Sequence, residues 1–119
     1  MRAAPLAAWL AVDVAVAILL GAFAAHLLHA HLSSAHLAIW DTAQRYQTWQ
    51  ALGLLACLRF DACDRCVCVL ILGGSLAFSL SLYALALGAP TALAWITPIG
   101  GVAMVGGWLR LAWRLRREG

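Results

Sequence analysis

The sequence predicts an all-α integral membrane protein: a four-helix bundle with a short interfacial helix between helices one and two. Hydrophobic residues make up 65% of the 119 residues and charged residues only 11%, so the chain cannot build a charged soluble surface. Long apolar runs recur, as is typical of segments that cross about 30 Å of hydrocarbon. We therefore expect a single transmembrane domain over residues 1–119.

Helix one is predicted at about 6–28, in an apolar run that follows Arg2. This run is longer than the apolar region of a signal peptide, and no small-residue cleavage site of the usual kind follows it. We therefore expect the segment to be retained as a membrane-spanning helix.

The interfacial helix is predicted in the polar stretch that follows, where Ser33 and Ser34 suit a helix N-cap. Leu37, Trp40 and Ala43 recur there at helical spacing. Aromatic side chains collect at the membrane–water interface, so Trp40 and Tyr46 are expected at headgroup depth.

The remaining spans are predicted at about 43–60, 66–87 and 91–115. The second helix is polar in its first half, so it can span only if that half faces other helices or the interface. Pro98 is expected to bend the fourth helix.

Close packing of the last two helices is the central prediction. Glycine is a poor helix former in water, but in lipid the backbone must bond to itself, and small residues let two helices approach closely. The residues expected to form this contact are Gly73, Gly74, Ser75, Ser79, Pro98, Gly100, Gly101 and Gly107.

The arginines predict the orientation. All eight basic residues are arginine, and cytoplasmic loops carry an excess of positive charge. Placing the carboxy-terminal cluster in the cytoplasm puts Arg59, Arg65 and Arg2 there as well, and leaves only Arg45 outside. Both termini are therefore expected to be cytoplasmic, in a multi-pass protein of the cell (inner) membrane.

Asp13 is the only acid well inside an apolar run. An ionised carboxylate at that depth costs about 2.5–3.5 kcal/mol or more, so the side chain should face other helices, be protonated or be paired. We expect it to bond Ser75 or a backbone group exposed by the glycines. Three interpretations stay open: a neutral acid that joins helices, an acid that simply lies close enough to the interface, or a proton or cation site.

The histidines and cysteines suggest metal chemistry, but a structural use is favoured for both. His26, His29, His31 and His36 fall within eleven residues, and imidazole suits zinc, copper or nickel. Cys63, Cys66 and Cys68 include a C-x-x-C spacing, but no second pair accompanies it. We expect no resident metal and no cofactor.

Four short motifs, in order along the chain, resemble the YgdD family, also called the domain-of-unknown-function 423 family, which includes transmembrane protein 256. They are residues 21–26 (GAFAAH), 45–47 (RYQ), 78–83 (FSLSLY) and 97–101 (TPIGG) followed by 107–108 (GW). The resemblance implies a small four-helix inner-membrane protein with no established reaction or ligand. Ala24 and Leu80 replace glycines usual in the family, and Gln50 replaces a histidine.

The function expected is that of a structural or accessory component of a membrane assembly, without enzymatic activity. The alternative is an oligomeric proton, metal or small-solute transporter that uses Asp13 or the histidine cluster His26–His36. Expected partners are membrane lipid and other membrane subunits or further copies of the chain, with no nucleic acid. Further functional candidates, expected near the outer face, are His26, Tyr46, Gln50 and Tyr83.

Overall fold

The computed structural model describes residues 3–119, so the prediction made for Arg2 lies outside the described residues. All regular elements among these residues are helices, with no strand, as the sequence predicts. Each of four long helices packs antiparallel to the next. They are α1 (Ala4–His26), α2 (Ser34–Cys57), α3 (Arg65–Ala86, with a π-helical turn at Val69–Gly73) and α4 (Ile96–Glu118).

Local signals set the ends of the helices. The Ser33 side chain caps α2 by accepting a hydrogen bond from the backbone N–H of His36 at 3.2 Å. Asp64 caps α3 in the same way. Gly88 turns the chain after α3 with a φ of +97°, a conformation that glycine adopts without strain.

Pro98 is the third residue of α4, which begins at Ile96 and not at about residue 91 as predicted. It lies in the first turn of the helix, where a backbone N–H has no partner in the helix to lose. A 3₁₀ segment, Thr91–Trp95, precedes it, so the chain changes helix type there.

The structure differs from the prediction over residues 34–57, where it has one helix and not two. The expected interfacial helix and the expected helix at 43–60 are one continuous 24-residue helix. Trp40 is buried and its indole N–H donates to the Leu20 carbonyl at 3.0 Å, so its ring packs against α1 and not outward. Tyr46 is partly buried against Phe78. The helix is uninterrupted, and its three glutamines find partners on the neighbouring helices.

The outer surface of the molecule is apolar. Three segments are long and apolar enough to cross a membrane: Ala4–Ala30, Arg65–Ala86 and Thr91–Glu118. Large hydrophobic side chains stand exposed along them, such as Leu19, Leu80 and Val102. A surface of this kind is typical of helices that face lipid.

The α3–α4 contact uses part of the predicted glycine set. A Cβ built on Gly74 would lie 2.7 Å from the Gly100 carbonyl oxygen, and one on Gly100 would lie 2.6 Å from the Gly74 carbonyl oxygen. Gly107 meets Ile71 as closely. Only glycine permits these approaches, so the two backbones are in direct contact.

Other residues predicted for the α3–α4 contact do not bring the two backbones together. Gly73 has open space around it, and Gly101 makes only an ordinary contact with Phe78. Ser75 is buried, whereas Ser79 donates to the Ala43 carbonyl of α2 at 2.9 Å. The serines of α3 therefore do not form one stripe against α4.

Charged groups fix the α2–α3 connection to α4. Arg110 donates to Asp64 at 2.8 Å, and Arg114 donates to the Ala62 carbonyl at 2.8 Å. The bond from Arg110 and that from the backbone N–H of Val67 lower the pKa of Asp64 to about 2. Asp64 therefore stays ionised at neutral pH, and its contribution to stability is lost only as the pH falls from about 4 through that lowered value.

Substitution of Gly100 tests the backbone contact. Gly100→Ala should destabilise the protein by about 1–3 kcal/mol, because the added methyl group overpacks the contact. Gly106→Ala is the matched control on the same helix, with open space around it. It should be neutral or stabilise by up to about 1 kcal/mol. Thermal unfolding in detergent measures both, and equal behaviour of the two variants would contradict the contact.

Candidate functional site

Three glutamines of α2 reach three neighbouring helices. Gln44 donates to the Ala17 carbonyl of α1 at 3.3 Å. Gln47 points between α1 and α3, and Gln50 accepts from the indole N–H of Trp108 on α4 at 2.6 Å. The three glutamines of α2 therefore face the other helices.

Gln47 lies at the centre of this arrangement. Its side-chain carbonyl accepts from the Tyr83 hydroxyl at 2.6 Å, and its amide N–H donates to Asp13 Oδ1 at 2.7 Å. Gln47 and Tyr83 are both buried. We call Asp13, Gln47 and Tyr83 the polar core. An amide suits its central position because it is both a donor and an acceptor.

Neighbouring groups hold the polar core in place. The Trp40 ring packs edge-on against the Tyr83 ring, with centroids 4.6 Å apart. The bond from Ser79 to the Ala43 carbonyl joins α3 to α2 one turn before Gln47. These contacts restrict the Tyr83 side chain, which keeps its hydroxyl directed at Gln47.

Asp13 bonds Gln47, so the predicted bond to Ser75 or to the glycine backbone is wrong. Gln47 stands between α1 and α3 at this depth and meets the carboxyl group first. Asp13 Oδ2 is buried and has no hydrogen-bond partner among residues 3–119. It lies beside an open apolar groove of about 340 Å³ between α1 and α3.

The polar core joins three helices by side-chain hydrogen bonds. Asp13 and Tyr83 meet through Gln47, so no base contacts a nucleophile within it. Interhelical hydrogen bonds in membrane proteins contribute about 0.6 kcal/mol each on average, and up to about 1.7. The arrangement is thus suited to positioning α1, α2 and α3.

The four candidates that the sequence places near the outer face do not form one cluster. Tyr46 and Gln50 both line an open groove of about 610 Å³ between α2 and α4. Tyr83 belongs to the polar core, and His26 is exposed in the last turn of α1. The four residues predicted to cluster near the outer face therefore lie in three different places, with only Tyr46 and Gln50 together.

The histidines and cysteines do not form a metal site in the described structure. Within residues 3–119, no three His, Cys, Asp or Glu side chains are close enough to hold an ion. All four histidines are exposed. Cys63 contacts Cys68, with 3.8 Å between sulfur atoms, whereas Cys66 is exposed. Burial raises the pKa of the Cys63 thiol well above its usual value, which opposes a thiolate ligand.

The apolar exterior, the long spans and the inward-facing polar groups together define a polytopic helical membrane protein. The chain belongs to the family described as Protein of unknown function (DUF423), whose sequence profile matches residues 20–101. This confirms the resemblance drawn from the four motifs. No solved structure matches the chain.

Proteins similar to this chain in sequence are named as membrane proteins. The chain is 43% identical over 101 residues to the UPF0382 membrane protein of Haemophilus influenzae, with 81% of each chain covered. It is 40% identical over 105 residues to one from Staphylococcus saprophyticus, covering 85% of this chain and 88% of the relative. The UPF0382 inner membrane protein YgdD of Escherichia coli is 33% identical, covering 86% and 84%. These names carry no activity or ligand.

Substitution of Gln47 tests the role of the polar core. Gln47→Leu leaves Asp13 and the Tyr83 hydroxyl without their shared partner, so stability should fall by about 1–3 kcal/mol. Thr42→Val is the control on the same helix, because Thr42 is exposed and bonds only the Ala38 carbonyl of its own helix. It should change stability by less than about 0.5 kcal/mol. Unfolding in detergent measures both, and equal stabilities would contradict the role.

Proposed function

We propose that this protein is a non-enzymatic structural or accessory component of an assembly in the inner membrane. The observation that carries the proposal is the use of the buried polar groups. The glutamines of α2 form hydrogen bonds with α1, α3 and α4, and these bonds hold the helices together. A component of this kind offers its neighbours an apolar surface and a few exposed polar groups.

In this proposal α2 is a fourth membrane-spanning helix. At 24 residues, α2 is about 36 Å long by its helical rise, enough to cross the hydrocarbon. It runs beside α1 from Trp40, which bonds Leu20, to Leu54, which packs with Leu10. The mean hydropathy of α2 does not mark it as a span, because the helix carries polar residues, among them the three glutamines that face the other helices.

Four spans place both termini on one side, and the arginines support the cytoplasm for that side. The α2–α3 connection and the carboxy-terminal arginines meet at one end of the molecule, through the ion pair of Asp64 with Arg110. Excess positive charge favours the cytoplasm. The printed name of the Escherichia coli relative, an inner membrane protein, supports the same membrane for this chain.

A proton-handling role is the second candidate, and one observation favours it. Asp13 Oδ2 is buried without a hydrogen-bond partner in the described residues and borders the α1–α3 groove. A transport role would require water to reach that oxygen. The groove is almost wholly apolar, being lined by side chains such as Leu72, Leu76 and Leu80, and this favours lipid as its content.

Capture of the tagged protein from its own membrane in mild detergent tests the proposed function. We expect a discrete complex larger than the monomer, and we expect Asp13→Asn to give the same complex, since an amide oxygen can still accept from Gln47. Recovery of the chain only as a lone monomer would contradict the assembly role. Loss of a proton-dependent phenotype in Asp13→Asn, with the complex intact, would favour the second candidate.

A further inference from the structure

An ion pair stands exposed on the outer face of α2. Arg45 lies 3.0 Å from Asp41, and their side chains are 61% and 53% exposed. Neither residue contributes to the contacts that hold the four helices together. The pair is therefore available for a contact with a molecule outside the four helices.

The pair lies at the middle depth of the molecule. Gln44 bonds Ala17 of α1, and the carbonyl of Ala43 accepts from Ser79 of α3, which places Arg45 level with the centres of both helices. At this level the other helices expose Ile18 and Leu80. The surroundings at that depth are therefore hydrocarbon, in the four-span arrangement proposed above.

Hydrocarbon is a poor environment for these two side chains. Arginine carries five N–H donors, and the Arg45 guanidinium has one ion pair and no further partner among residues 3–119. Charged side chains at this depth normally face other protein or a water-filled cavity. The exposed face of α2 is therefore expected to be covered by protein.

The exposed residues form a continuous stripe suited to a helix contact. They recur at intervals of four, three, four, four, three and four residues, close to the helical repeat, so they lie along one face that a second helix can contact. Two of these residues, Ser34 and Ala38, are small and lie in the amino-terminal part of α2, where they permit the close approach of a second helix. The α2 stripe consists of Ser34, Ala38, Asp41, Arg45, Trp49, Leu52 and Ala56, all exposed.

We propose that the α2 stripe binds the α2 stripe of a second copy of this chain. Copies in a membrane share one orientation, so a two-fold axis along the membrane normal brings the two stripes together in parallel. One acid and one base on each copy make the face electrically self-complementary: Arg45 of either copy can pair with Asp41 of the other. A partner with charge of one sign would leave one of these groups unmatched.

This inference rests on the proposed role in an assembly and names its partner. Charge variants test it. Asp41→Arg makes the stripe wholly positive and Arg45→Asp makes it wholly negative, so each variant alone should lose dimerisation by about tenfold or more. Co-expressed, the two variants should pair with each other. The double variant Asp41→Arg with Arg45→Asp should dimerise like the unmodified protein.

Differently tagged copies in lipid nanodiscs or mild detergent, followed by co-purification, give the measurement. Arg116→Asp, an exposed change of charge outside the stripe, is the matched control and should leave dimerisation unchanged. Because Asp41 and Arg45 are exposed, unfolding temperatures should stay close to that of the unmodified protein. Dimerisation of both single variants at the unmodified level, or failure of the co-expressed variants to pair, would overturn the proposal.

A photo-crosslinking residue in place of Ala38 separates this inference from the proposed function. An adduct of twice the mass of the chain supports the second copy. An adduct with a different protein would overturn self-association and leave the assembly role standing. The absence of any adduct at Ala38, with the chain a monomer in the capture experiment, would overturn both.

Discussion

The hydrogen bonds of Gln47 are the interaction on which the architecture depends. They join Asp13 of α1 to Tyr83 of α3 through a residue of α2, so three helices share one buried polar group. In lipid the hydrophobic effect does not hold helices together, and packing and polar contacts must do so. Gln44 and Gln50 extend the principle to either side, so the one long helix that is not apolar enough to be marked as a span is bonded to all the others.

The α3–α4 pair is held differently, by direct backbone contact and by charge at one end. Gly74 and Gly100 let the two backbones meet, while Asp64 ties the α2–α3 connection to Arg110. At the opposite end Ser81 and Thr97 bond at 2.6 Å. The molecule thus combines polar contacts around α2 with steric fit between α3 and α4, and each accounts for residues that would be poor choices in a soluble helix.

The sequence was most informative where one physical rule dominated. Apolar runs located α1, α3 and α4, and the glycine spacing located the contact of Gly74 with Gly100. The continuity of α2 was missed, because its inward polar residues resemble those of an interfacial segment when their partners are unknown. The partner of Asp13 was missed for the same reason: a long-range pair with Gln47, 34 positions away, leaves no local pattern. Three glutamines between 44 and 50 in a chain this apolar were the available signal.

The central proposal is that α2 crosses the membrane with its three glutamines facing the other helices. The most direct measurement is labelling of cysteines before and after α2 with a membrane-impermeant maleimide, applied from either side. Cys66 is exposed and follows α2. His31→Cys in a Cys66→Ser background places a thiol before it. The account predicts labelling from opposite sides, with Cys66 reached from the cytoplasm. Labelling of both positions from one side would contradict it.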